Sequence, residues 1–94
     1  MEIIKKDNGI RGAFLAVEDG IQLGEMDYVW DGDKVIVINH TEVFPQYEGQ
    51  GVGKKMFKSA VDFAREKEIK IIPTCYFVQI MFQRSPEYND VLAN

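Results

Sequence analysis

The 94-residue chain contains one cysteine, one histidine, one tryptophan and three prolines, and these scarcities exclude several architectures. A lone cysteine, Cys75, closes no internal disulfide, so burial of aliphatic and aromatic side chains has to hold the fold. One cysteine and one histidine do not make a zinc site of the Cys/His type, and no metal is expected. Long apolar runs are also lacking. The longest, residues 13–17 and 35–38, fall far short of the roughly 20 residues a membrane-spanning helix needs. The opening residues, MEIIKKDNGI, carry no apolar segment of the secretory kind. Basic charge is in deficit: 11 Lys and Arg against 15 Asp and Glu give a net charge of −4. Binding along a phosphate backbone, which needs a basic face, is not expected. The expectation is one cytoplasmic domain spanning residues 1–94, with neither nucleic acid nor membrane as partner.

What is present is ordinary for a globular chain, with 46% hydrophobic and 28% charged residues. Residues 1–6, 11–18, 21–30 and 34–44 read as strands. They are separated by the turn signals Asp7-Asn8-Gly9, Asp19-Gly20 and Asp31-Gly32-Asp33. The period changes after Gly49. Val52, Met56, Phe57, Ala60, Val61, Phe63 and Ala64 form an apolar stripe at helical spacing through residue 67. Residues 69–72 then read as a fifth strand stopped by Pro73, residues 77–84 as a shorter helix, and residues 87–92 as a last helical turn beyond Pro86. The order β-β-β-β-α-β-α predicts an α+β fold: an antiparallel meander followed by β-α-β-α in a mixed sheet. Trp30, Phe57, Phe63 and Phe82 are assigned to its core.

The segment Glu48-Gly49-Gln50-Gly51-Val52-Gly53 joins the best strand to the best helix. Its glycines allow a tight turn and a close approach to the backbone amides. No Ser, Thr, Asp or Asn stands before the helix to cap its unpaired N–H groups. Lys54, Lys55 and Lys58 crowd its positive end, which is unfavourable unless an anion neutralises them. A phosphate-bearing ligand fits. The P-loop pattern fails, because Glu48 replaces its first glycine and Lys55 its Ser/Thr. The dinucleotide G-x-G-x-x-G pattern fails at Lys54.

A strand, then Tyr-Glu-Gly-Gln-Gly-Val-Gly-Lys, then an amphipathic helix resembles the acetyl-CoA motif of GNAT-type N-acetyltransferases, Arg/Gln-x-x-Gly-x-Gly/Ala. Gly51 and Gly53 occupy its small positions, and Glu48 stands where Arg or Gln is usual. His40-Thr41-Glu42-Val43, Pro73-Thr74-Cys75-Tyr76-Phe77-Val78 and Ser85-Pro86-Glu87-Tyr88 occur in the order seen in the minimal, single-domain YjdJ-like group. The resemblance spans residues 10–92. It implies a GNAT-like mixed sheet and acetyl-CoA as co-substrate. The pyrophosphate would lie on Gly49, Gln50, Gly51, Val52, Gly53 and Lys54, and the pantetheine between the fourth and fifth strands, with Thr41 and Val43 among its contacts. The acceptor is an amine of unspecified kind.

Strand alternation places Ile36, Ile38, His40 and Glu42 on one face, with His40 and Glu42 roughly 7 Å apart; the resemblance implies that strand four often bulges, which would break this phase. Either could take the proton an amine must lose before attacking a thioester. Thr74 is a candidate N-cap for the second helix. Cys75 would then lie in its first turn, where a thiolate is favoured and can accept an acyl group. Tyr76 and Tyr88 are candidate proton donors to the departing thiolate, as a tyrosine is in many relatives. The alternatives to an acetyltransferase are a non-catalytic acyl-CoA-binding module and a small protein-interaction domain on the same fold.

Overall fold

The computed structural model describes residues 1–93. Strands β1 (Glu2–Asp7), β2 (Arg11–Glu18), β3 (Ile21–Trp30) and β4 (Val35–Val43) form the expected antiparallel meander. A 3-10 turn, Pro45–Tyr47, leads to helix α1 (Val52–Lys67). Strand β5 (Lys70–Pro73) then pairs in parallel with β4, completing a sheet of order β1-β2-β3-β4-β5. Helix α2 (Tyr76–Arg84) and a 3-10 segment, Pro86–Val91, close the chain. Among the described residues no helix is long and apolar enough to cross a membrane.

The apolar stripe of α1 packs on the sheet. All seven of its predicted residues are buried, against Phe14, Ala16, Met26, Tyr28, Ile36 and Ile38. The helices meet through Phe57 and Phe82, whose ring centroids are 5.0 Å apart. Gly53 makes this approach possible: a Cβ there would stand 2.6 Å from Cζ of Phe77. Arg65 ties the last segment to α1 through paired bonds of 2.9 and 2.8 Å to Asp90. Phe57, Phe63 and Phe82 are buried as expected, whereas Trp30 is only partly covered at the rim.

Beside Trp30 lies a polar anchor the sequence did not announce. The Tyr28 hydroxyl donates to Asp7 Oδ2, and Trp30 Nε1 donates to the same oxygen at 2.9 Å. Desolvation, the largest single influence on Asp7, acts to raise its pKa. Hydrogen bonds from Tyr28, the Gly9 amide and Trp30, with Lys5 nearby, outweigh it and hold the carboxyl below its ordinary 3.8. Tyr28 is pushed above its ordinary 10.0, first by burial and then by its bond to Asp7. The two signs bound a pH window. The Asp7 contribution is present above the ordinary carboxylate value and is lost as pH falls through the depressed folded one. The Tyr28 contribution is complete below the ordinary phenol value and declines as pH rises beyond it. Thermal melts should therefore show a plateau with an acid and an alkaline limb. Asp7→Asn should lower the plateau and flatten the acid limb; an acid limb identical to the parent's would refute this assignment.

One feature of β4 differs from simple alternation and decides the geometry of the site. The β3–β4 register steps from Tyr28↔Ile38 to Asp27↔His40, so Asn39 is an extra residue, a β-bulge. Ile36 and Ile38 face α1, and past the bulge Thr41 and Val43 face the same way. His40 and Glu42 do share a face with each other, but it is the opposite one from Ile36 and Ile38. The four-residue face expected from alternation is corrected by that single inserted residue.

Candidate active site

The strands β4 and β5 part where the bulge begins. Their pairing covers Val35 to Ile38 against Lys70 to Pro73, while β4 continues to Val43. The amides of Thr74 and Cys75 both donate to the Ile38 carbonyl, at 3.0 and 3.2 Å, and turn the chain away from β4. Residues 39–43 are thereby left without a strand partner on that side.

A cleft of about 440 Å³ opens beneath this parting and runs to the start of α1. Thr41 and Val43 line its sheet side, Gly49, Gly51, Val52, Gly53 and Lys54 its helix side. Seven of the eight cofactor-contact residues expected from the sequence are thus brought together. Gln50 is the eighth, and it lines an adjoining cleft of about 660 Å³ that shares Gly51, Lys54 and Met81 with the first. The sequence reading missed Tyr47, Glu48, Phe77 and Met81 as lining residues; Glu48 stood out only as a departure from the family motif. Only the apolar character of the other three hinted at a role, and that character is shared with any core residue.

The start of α1 is uncapped, as its sequence suggested. Gly51 is the N-cap of α1 at φ 78 and offers no side-chain cap, and no acidic residue stands in the first turn. The first intrahelical bond there runs from the Lys55 amide to the Gly51 carbonyl, at 3.1 Å. The amides of Val52, Gly53 and Lys54 precede it and are free for a ligand. Among the described residues Lys54 and Lys55 have no ion-pair partner, whereas Lys58 is held by Asp62 at 2.5 Å. The second cleft carries Lys54, Lys55, Lys58 and Arg84 around an apolar floor of Phe57, Met81 and Tyr88.

At the other end of the first cleft, Cys75 Sγ lies 3.3 Å from Thr41 Oγ1 across the parting of the strands. Cys75 is half-buried and is itself the N-cap of α2, with extended backbone and no side-chain cap bond. The expected cap, Thr74, instead donates its hydroxyl to the Ile38 carbonyl at 3.3 Å. The helix begins at Tyr76, one residue earlier than its apolar pattern predicted, but its cap falls at Cys75 and not at Thr74, so Cys75 precedes the first turn. Tyr76 is 76% exposed. Tyr88 packs on Phe57 and under the Arg65 guanidinium.

His40 and Glu42 stand on the far side of the sheet, Nε2 to Oε1 3.6 Å apart and both about half exposed. Glu25 pairs with Glu42 and Asp27 with His40 across β3 and β4. A hydrogen bond that protonated Glu25 donates to Asp27, then desolvation, then the Asp27 charge push the Glu25 carboxyl above its ordinary value. Cys75 contacts Thr41, which faces α1, and the carboxylates stand on the opposite face of β3 and β4.

A bulged mixed sheet that parts at one end, with an uncapped glycine-rich helix start below the parting, defines an α+β domain of the acetyltransferase type. Residues 13–91 match the family described as GCN5-related N-acetyl-transferase, and the chain belongs to that family. It is 34% identical over 59 residues to the protein NATD1 of Gallus gallus, a match covering 63% of this chain and 54% of that one. The chain thus spans about half the length of the curated relatives it matches. A solution NMR structure described as GCN5-like, from Staphylococcus aureus, is similar with TM-score 0.71 and 34% identity, covering 97% of this chain and 88% of that one. A GNAT family acetyltransferase from Elizabethkingia anophelis, solved with acetyl-CoA bound, shares the fold at TM-score 0.64 and 16% identity, over 81% of this chain and 52% of that one. These matches establish the family; membership of the minimal group rests on the motifs alone.

Proposed function

We propose that residues 1–94 work as one acetyl-CoA-dependent N-acetyltransferase unit. The observation that carries this reading is a cleft that runs from the uncapped helix start and Lys54 to Thr41, whose hydroxyl oxygen contacts Cys75 Sγ. In this reading the pyrophosphate lies on the amides of Val52, Gly53 and Lys54, where the helix dipole and Lys54 favour it. The nucleotide end occupies the second cleft, with its extra phosphate among Lys55, Lys58 and Arg84. The pantetheine passes Val43 and Thr41, and the thioester reaches the parting of β4 and β5. Clefts of about 440 and 660 Å³ suit a ligand of this size.

The acceptor amine comes from the side of His40 and Glu42. Glu42 takes its proton, directly or through water, with His40 as the other candidate base. The amine nitrogen then bonds to the thioester carbonyl carbon, the C–S bond breaks, and CoA leaves as a thiolate. Tyr76, exposed beside Cys75, is the proton donor this reading assigns to that thiolate. A two-step route is also open to this geometry, with the acetyl group first passing to Cys75 Sγ.

Acetyl-CoA without an amine tests both parts. Amide NMR shifts should cluster at residues 49–54, and intact mass should show one added acetyl group if Cys75 takes it. An acetyl group mapped to Cys75, with turnover lost in Cys75→Ser, would establish two steps. An unmodified thiol and normal turnover in Cys75→Ala would leave direct transfer, with Cys75 lining the channel. Shifts centred elsewhere would dismiss the site. Binding at residues 49–54 without CoA release for any amine tried would favour the acyl-CoA-binding module instead.

A further inference from the structure

The face of the sheet opposite α1 carries no helix among the described residues. The strand register lays out its side chains. One row runs Ile4, Leu15, Glu25, Glu42, and the next runs Lys6, Ala13, Asp27, His40. Beyond them runs a third row, Arg11, Val29, Val37, Ile72, apolar from Val29 onward with Arg11 at its β2 end. Leu15, Val29, Val37 and Ile72 are half-buried by their neighbours alone, with no second layer over them. The face therefore joins uncovered apolar surface to an acidic centre beside the parting of β4 and β5. At that centre, donor atoms of Glu25, Asp27 and His40 all lie within 4.8 Å of one another.

We propose that this open sheet face docks a basic, partly apolar polypeptide segment and so presents a lysine or terminal amine to the parting of the strands. The proposal rests on the acetyl-transfer reading and names its acceptor class. Charge complementarity selects the occupant. A second copy of the chain with its two-fold axis through the acidic centre would set Glu25, Asp27 and Glu42 against their own equivalents, which repel. Nucleic acid and anionic lipid are repelled by the same centre. Glu25 and Asp27 lie close enough that each carboxyl raises the cost of the other's charge, first through the hydrogen bond between them and then through the Asp27 charge.

Size separates a polypeptide from a small amine. Small-molecule sites are concave and enclose most of their ligand. Here β1 returns to β2 through a tight turn, closed by the Asn8 amide on the Arg11 carbonyl at 3.0 Å, with no insertion to form a wall. A small diffusible amine would leave the apolar rows bare. A polypeptide can cover them, because lysine stems lie along apolar surface while their ammonium groups reach the carboxylates.

The test is an amide NMR titration of the whole chain. The probes are a ten-residue peptide of lysines and leucines, spermidine, and a glutamate-and-leucine peptide of equal length. The lysine peptide should shift the amides of Glu25, Asp27, Val29 and Val37, and bind about tenfold or more tighter than spermidine. The glutamate peptide should not bind there. A Glu25→Gln/Asp27→Asn double variant should weaken the lysine peptide about tenfold and keep its dispersed spectrum and its acetyl-CoA shifts at residues 49–54. Lysine-peptide binding no tighter than spermidine, shifts on another surface, or an indifferent double variant would each overturn the proposal. Loss of the acetyl-CoA shifts in the unaltered chain would instead overturn the acetyl-transfer reading, and the two failures are read from separate residues.

Discussion

Gly51→Leu is expected to lower acetyl-CoA affinity by about a hundredfold or more while leaving the fold in place. Gly51 sits at φ 78, ψ 17, where a residue with a Cβ pays about 1–2 kcal/mol. Nothing lies within 4 Å of where that Cβ would stand, so the packed core is untouched. In the proposed reading the ligand fills that space. Gly51 lines both clefts, and a leucine there fills the approach to the free amides of Val52, Gly53 and Lys54. Hydrogen bonds to a charged group contribute about 1.5–3 kcal/mol each. Losing two amounts to roughly two to four decades of affinity. Calorimetric titration with acetyl-CoA, beside a thermal melt, checks both halves. Affinity within threefold of the parent would place the pyrophosphate elsewhere. Gly53 makes the contrast: Gly53→Ala drives a Cβ into the Phe77 ring, so its loss of binding would come with a loss of stability.

The second large effect concerns the base. Glu42→Gln should reduce turnover about 10²–10³-fold with acetyl-CoA binding unchanged, since removing a general base costs that much. Stability should hardly move. The His40–Glu42 pair is half exposed, and its 3.6 Å separation exceeds a normal hydrogen bond. Such surface pairs contribute at most about 1 kcal/mol. A rate loss without a melting change would therefore report chemistry rather than unfolding. His40→Ala is the companion measurement. Whichever variant keeps its rate within about threefold is removed from the mechanism, and if both do, the base is neither.

Much of this was legible along the chain, for a local reason. Strand and helix periods are written in neighbouring residues, so the meander and the α1 stripe appear before any fold is known. The anion site is similarly local: Gly51, the missing cap and Lys54 lie within a few positions, and the helix that follows supplies the free amides. The family motif added the cofactor and its direction, and the cleft gathers seven of the eight residues it implied.

What lay beyond the sequence depends on partners distant in the chain. The bulge at Asn39 exists only through the β3–β4 register, and it alone sends His40 and Glu42 to the face opposite Ile38. Thr74 looked like a cap but bonds the Ile38 carbonyl, 36 positions away, leaving Cys75 to begin α2. The second cleft needs α2 packed on α1, which turns on a glycine at 53 meeting the ring of Phe77. The acidic centre of the open face joins Glu25 and Asp27 to His40 and Glu42 across two strands. Residue spacing determined the elements and their glycine-rich turn, because backbone period and capping act over one or two turns of chain. The faces, the second cleft and the carboxylate cluster were decided by tertiary structure, because side chains far apart in sequence meet only after strand pairing and helix packing choose their neighbours.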